Sequence, residues 1–103
     1  VYTDYLLHKI IEDLKSLTDY KSTMIFVSDH GESLGEKNLY MHGVPMKFAP
    51  KEQYEIPFIV WVSDSNTQVK NIDNLCQNHV FHSVLKFLSI QSPVYKEDMN
   101  IFE

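Results

Sequence analysis

The N-terminal part of the chain carries apolar side chains at helical spacing. Charged residues such as Asp4, Glu12 and Lys15 fall between the apolar positions. This spacing predicts one amphipathic helix over Val1–Leu17. The apolar positions are Tyr2, Leu6, Leu7, Ile10, Ile11, Leu14 and Leu17. No capping residue precedes the pattern, so we expect the chain to be a piece of a longer polypeptide.

Two apolar runs without polar alternation predict strands, over 23–28 and 56–62. Such runs are typical of strands that are covered on both faces in a parallel sheet. Pro57 lies at the beginning of the second run, where its missing N–H does least harm. The long segment between the runs, residues 29–49, is predicted to be a functional loop.

A second helical pattern extends from about Asn74 to Ser89, and Pro93 lies beyond its end. The predicted order is therefore helix, strand, loop, strand, helix and a short tail. This alternation favours an α/β layer fold.

Composition and charge exclude several classes of protein. The 103 residues allow one domain at most, and a hydrophobic fraction of 44% is too high for a disordered tail. Nine lysines, no arginine and 14 acidic residues give a net charge of −5, which argues against a nucleic-acid partner. The longest apolar run, Phe58–Val62, is far shorter than the roughly 20 residues that span a bilayer.

The most informative chemistry lies at Asp29 and His30, where the first predicted strand meets Gly31. A carboxylate and an imidazole are suitable zinc ligands, and α/β sites gather at the carboxyl ends of strands. Farther along the loop, His42 could hold a metal or a phosphate oxygen, and Glu32 could orient His30. The plain alternative is that Asp29 caps a turn and His30 is an ordinary loop histidine.

The other candidate residues favour structural interpretations. We expect His8 to be solvated on the first helix, and His79 and His82 to have structural roles near the second. Ser28 and Ser33 flank the predicted ligands, but neither lies in a Gly-x-Ser-x-Gly nucleophile motif. The chain therefore offers no nucleophile that pattern alone can assign.

A longer motif resembles a known family. The string Ser28–Glu36, followed by Leu39–Gly43, Ala49-Pro50 and Ile56–Phe58, closely resembles the bacterial phosphoethanolamine transferases. These enzymes belong to the alkaline phosphatase and sulfatase superfamily. The shorter Ser-Asp-His-Gly-Glu part is shared with sulfatases and several phosphodiesterases, whereas the extension is more specific. The likeness covers nearly the whole chain and corresponds to the last part of a family member.

The resemblance implies a fold and a set of site residues. Residues 1–103 would be the C-terminal portion of a sulfatase-like, layered α/β/α catalytic domain with a mostly parallel central sheet. Asp29 and His30 would be two ligands of a catalytic Zn²⁺, His42 would contact the substrate phosphate, and Glu32 would support the ligands. The other two ligands, a glutamate and the nucleophilic threonine, would lie in an upstream part of the same protein, so the segment alone should be inactive.

The implied reaction is transfer of phosphoethanolamine from phosphatidylethanolamine to lipid A, lipooligosaccharide or core sugars, through a phospho-threonine intermediate. The catalytic domain would lie on the periplasmic side of the bacterial inner membrane. Cys76 is the one cysteine. By the resemblance it would pair with an upstream cysteine, the alternative being a buried, unpaired thiol. Two other functions stay open: a sulfatase or phosphodiesterase of the superfamily, or a non-catalytic binding module that retains the fold.

Overall fold

The structure is a computed structural model that describes residues 1–31, 33–35, 38, 40–41, 43, 45 and 47–103, with backbone only for 33, 34, 40 and 41. Both predicted helices and both predicted strands are confirmed within a few residues. The elements in chain order are α1 (Tyr2–Lys15), β1 (Thr23–Val27), β2 (Ser33–Leu34), β3 (Tyr40–Met41), β4 (Phe58–Val62) and α2 (Asn78–Phe87). Short 3-10 turns cover Lys51–Gln53 and Glu97–Met99.

Helix α1 has the predicted apolar stripe, but none of its residues is buried. Tyr5 is 58% exposed, Leu6 45% and Ile10 38%. The helix therefore presents an apolar face that the described part of the chain leaves uncovered.

Strands β1 and β4 form a two-stranded sheet. The Ser63 N–H donates to the Ser22 carbonyl at 2.8 Å, and the Thr23 hydroxyl donates to the Trp61 carbonyl at 2.8 Å. These bonds join the beginning of β1 to the end of β4, so the two strands run antiparallel. The sequence predicted a mostly parallel central sheet, and this pair is an antiparallel part of it, because an unbroken apolar run does not indicate strand direction.

One compact unit comprises Val1–Ile25 and Val60–Glu103. Two of its most buried residues, Asn100 and Ile101, have no exposed surface and lie in the segment that the sequence suggested was a short tail. The Asn100 side chain bonds both backbone groups of Phe102, at 2.6 and 3.0 Å. Ser83 of α2, also without exposed surface, accepts a hydrogen bond from the Ile101 N–H at 3.0 Å. The C-terminal segment is thus part of the core of this unit.

A hydrogen-bond and ion-pair network lies at the surface just before the buried C-terminal segment. The Tyr95 hydroxyl donates a hydrogen bond to the Glu97 carboxylate. This bond and the hydrogen bond from Lys70 lower the pKa of the Glu97 carboxyl to about 2. The same bond raises the pKa of the Tyr95 hydroxyl to about 12. Lys70 Nζ lies 3.3 Å from Glu97 Oε1, so the network links the 3-10 turn to the chain near Val69.

Left-handed residues lie outside both ends of α2. Asn74 has a φ of 59° and Ser89 a φ of 56°. Because a left-handed residue cannot continue a right-handed helix, α2 is shorter than the predicted 74–89. It covers Asn78–Phe87.

The second compact unit is Phe26–Ile59. Strands β2 and β3 pair antiparallel, with Ser33 opposite Met41. Ala49, Pro50 and Gln53 are buried beside the 3-10 turn at Lys51–Gln53. The predicted loop therefore contains a short hairpin and leads into a partly buried turn.

Candidate functional site

Asp29 and His30 follow the end of β1, and their side chains come together. Asp29 Oδ2 lies 3.5 Å from His30 Nε2. Asp29 Oδ1 accepts a hydrogen bond from the His30 backbone N–H at 2.9 Å, which holds the carboxylate toward the ring. Adjacent side chains of a regular strand point to opposite faces, so this meeting requires that the strand has ended.

The His30 ring is oriented through its other nitrogen. His30 Nδ1 lies 3.0 Å from the Gly31 carbonyl oxygen, which can only accept, so Nδ1 carries the proton. In the neutral ring, Nε2 then holds a lone pair that faces the carboxylate. Metal-binding histidines commonly have this arrangement, with the second ring nitrogen donating to a backbone carbonyl.

The spacing of the two acceptor atoms fits a shared cation. Ligands about 2.0–2.2 Å from a tetrahedral zinc are about 3.3–3.6 Å from each other. The separation of 3.5 Å between Asp29 Oδ2 and His30 Nε2 lies in that range. An ion pair with a protonated His30 would also satisfy the two atoms.

The pair is open toward solvent, with 88% of the Asp29 side chain and 37% of the His30 side chain exposed. Among the residues that the structure describes, no group of three His, Cys, Asp or Glu side chains forms a metal site. Asp29 and His30 could therefore supply two positions of a zinc shell whose other ligands lie elsewhere. His42 and Glu32 lie outside the described residues, and their predicted roles stay predictions.

Gly31 is required by close packing. Its φ is not in the left-handed region, unlike that of Gly35 or Gly43. A Cβ built on Gly31 would lie 2.0 Å from the backbone oxygen of Glu52. Glycine is therefore needed here because it allows a close approach of two backbone segments.

The structural interpretation of the other histidines is confirmed. His79 is 7% exposed, and its Nδ1 accepts the Cys76 backbone N–H at 3.1 Å. His82 Nδ1 accepts the Lys96 backbone N–H at 3.0 Å. His8 is exposed on α1.

The Cys76 thiol is exposed, so the alternative of a buried thiol is wrong for this structure. Its Sγ lies 3.3 Å from His79 Nδ1. Pairing with a cysteine outside the chain stays a prediction.

Comparison with known proteins places the chain in a family. The model of the family described as Sulfatase matches residues 1–90. The chain belongs to the sulfatase family. In this family, the sequence is 44% identical over 109 residues to phosphoethanolamine transferase EptA of Helicobacter pylori, covering 99% of this chain and 21% of that protein. It is 32% identical over 115 residues to EptA of Salmonella typhimurium, covering 100% of this chain and 21% of the relative.

Two solved structures of sulfatase-like domains are also similar. The C-terminal periplasmic domain of phosphoethanolamine transferase EptC from Campylobacter jejuni has a TM-score of 0.79 and 35% identity, over 96% of this chain and 34% of that one. The soluble domain of lipooligosaccharide phosphoethanolamine transferase A from Neisseria meningitidis has a TM-score of 0.84 and 30% identity, over 96% of this chain and 33% of that one. The resemblance to phosphoethanolamine transferases and the sulfatase-like fold class are therefore confirmed. The chain spans about a fifth of the length of the curated relatives.

None of the helices in the part of the chain that the structure describes combines the length and apolar character needed to cross a membrane.

Proposed function

We propose that this chain is part of an enzyme that transfers phosphoethanolamine from phosphatidylethanolamine to lipid A or core sugars of lipopolysaccharide. The observation that carries the proposal is the pair Asp29 Oδ2 and His30 Nε2, two acceptors 3.5 Å apart at the end of β1. The pair belongs to a segment that matches named phosphoethanolamine transferases over nearly its whole length. A sulfatase or phosphodiesterase and a non-catalytic module are the competing functions.

Asp29 and His30 are the residues that would hold a zinc ion. Asp29 offers an anionic oxygen, and the hydrogen bond from the His30 N–H to its second oxygen restricts rotation of the carboxylate. His30 offers Nε2, because its Nδ1–H donates a hydrogen bond to the Gly31 carbonyl. When bound, zinc would lower the pKa of a nucleophilic hydroxyl and neutralise negative charge on the phosphoryl oxygens.

The remaining chemistry requires residues outside this chain. The proposed nucleophile is a threonine, which attacks the phosphorus, releases diacylglycerol and holds the phosphoethanolamine as a phospho-threonine. His42 is proposed to contact a phosphate oxygen during this step. We propose that this domain lies in the periplasm. The similar structure from Campylobacter jejuni is a periplasmic domain, which supports this location. We propose that the whole protein is anchored in the bacterial inner membrane.

The exposed face of α1 suggests how the rest of the domain is joined. Leu6 and Ile10 lie on the amphipathic stripe and remain 45% and 38% exposed. The chain covers only about a third of each similar solved domain, 34% and 33%. We propose that this face packs against the upstream part of the same sulfatase-like domain.

The deciding experiment uses the full-length protein with phosphatidylethanolamine and lipid A, and measures product mass together with bound zinc. Asp29→Ala and His30→Ala should each abolish transfer and lower the zinc content, because each removes a ligand. Asp64→Ala is a matched control, since Asp64 also accepts a local backbone N–H but lies in the other compact unit. Unchanged zinc stoichiometry in the Asp29 and His30 variants would refute the assignment. Hydrolysis of a sulfate ester without transfer would favour the sulfatase alternative.

A further inference from the structure

Three residues in and next to the 3-10 turn Lys51–Gln53 are buried. Pro50 has less than 2% of its surface exposed, Ala49 6% and Gln53 6%. The Gln53 N–H donates to the Pro50 carbonyl at 3.0 Å, and the Glu55 N–H donates to the Lys51 carbonyl at 2.7 Å. Burial and internal hydrogen bonds make local unfolding of this turn unfavourable.

Gly31 lies directly against the turn. Its N–H donates to the Gln53 carbonyl at 3.1 Å. The Glu52 backbone oxygen is only 2.0 Å from the position that a Cβ of residue 31 would occupy. Because both contacts are to backbone atoms, rotation of a side chain cannot relieve a larger residue at this position.

The same glycine also orients His30. The Gly31 carbonyl oxygen is 3.0 Å from His30 Nδ1 and fixes which ring nitrogen carries the proton. Gly31 is therefore bound on its N–H side to the turn and on its carbonyl side to the histidine. A displacement of Gly31 from the turn would move the acceptor of the ring proton.

We propose that the 3-10 turn Lys51–Gln53, acting through Gly31, is the positioning element of His30. It holds the ring in the Nδ1–H tautomer and directs Nε2 toward Asp29 Oδ2. The zinc part of this inference rests on the proposed function. Groups that orient a metal-binding histidine commonly change metal affinity by about 10–100-fold, so we expect an effect of that size.

The test compares Gly31→Ala with Gly43→Ala in the complete catalytic domain. Zinc affinity is measured by competition with a chromophoric chelator, and the His30 tautomer by ¹⁵N NMR of the metal-free, histidine-labelled protein. Gly31→Ala should weaken zinc binding about 10–100-fold and shift His30 away from a single Nδ1–H tautomer. Gly43→Ala is the matched control, because its φ of +89° is strained by a side chain, but a Cβ there lies within 4 Å of none of the residues that the structure describes. It should preserve both the affinity and the tautomer.

Pro50→Ala provides a second variant if Gly31→Ala does not fold. It leaves the space around Gly31 unchanged but releases the φ of −63° at the beginning of the turn. We expect a weaker change of zinc affinity and tautomer in the same direction.

The outcomes separate this inference from the proposed function. If Asp29→Ala lowers zinc affinity while the folded Gly31→Ala or Pro50→Ala variant leaves affinity and tautomer unchanged, the positioning role is wrong and the zinc site stands. If zinc binding is unaffected by Asp29→Ala and His30→Ala, the proposed function itself fails. Even then, a changed His30 tautomer in Gly31→Ala would show that the turn positions the His30 ring.

Discussion

Asp29→Asn replaces one carboxylate oxygen by an amide nitrogen and preserves the shape of the side chain. The amide oxygen can still accept the His30 backbone N–H, which Asp29 Oδ1 accepts at 2.9 Å. Because 88% of the side chain is exposed, the free energy of unfolding should change by less than about 0.5 kcal/mol. The variant therefore separates metal binding from folding.

The expected loss of zinc affinity follows from the removed charge. Two unit charges 4 Å apart attract each other by about 1 kcal/mol in bulk water, and a dication doubles this value. The high exposure of Asp29 favours the value for water. Loss of the charge should therefore cost at least about 2 kcal/mol, which corresponds to a roughly 30-fold higher Kd.

The assay is competition between the full-length protein and a chelator of known zinc affinity, alongside thermal unfolding of the metal-free protein. Asp64→Asn is the control, because it removes the same charge from a side chain that also accepts a local backbone N–H. Asp29 is not a zinc ligand if Asp29→Asn binds zinc as tightly as the unmodified protein, or if Asp64→Asn weakens zinc binding equally.

Three further variants test other parts of the molecule in the full-length protein. Ile10→Asp should destabilise the assembled domain by at least about 1 kcal/mol if α1 packs against upstream residues. Lys9→Asp, on the charged side of α1, is the control, and equal melting temperatures of the two variants would contradict this packing. His42→Ala should reduce turnover with zinc retained, and loss of zinc on metal analysis would instead make His42 a ligand. Ser83→Ala leaves the Ile101 N–H without its acceptor and should cost about 1–3 kcal/mol in urea unfolding. Ser16→Ala, whose hydroxyl bond is exposed, should cost little, and equal effects would refute the importance of burial.

The amino-acid pattern alone predicted both α-helices and the strands β1 and β4, because their signals are local, whereas the two-residue strands β2 and β3 fell in the predicted loop. Apolar spacing located α1 and β1 to within a few residues. The largest difference is at the beginning of α2, where the left-handed Asn74 precedes the helix. The candidate ligands Asp29 and His30 were also accessible from sequence, since they are adjacent and follow a buried-type strand. The motif around them carried the family resemblance that the comparisons confirm.

Tertiary structure decided what depends on residues far apart in the chain. The direction of the β1–β4 pair is seen only in contacts such as that between Ser22 and Ser63, which are far apart in the chain. The C-terminal segment became core because Ser83 bonds the Ile101 N–H, a contact across 18 residues. Gly31 is needed because a backbone segment some twenty residues later lies against it. A local pattern encodes the preference of a segment for helix or strand, but it does not encode which distant backbone will supply its packing partner.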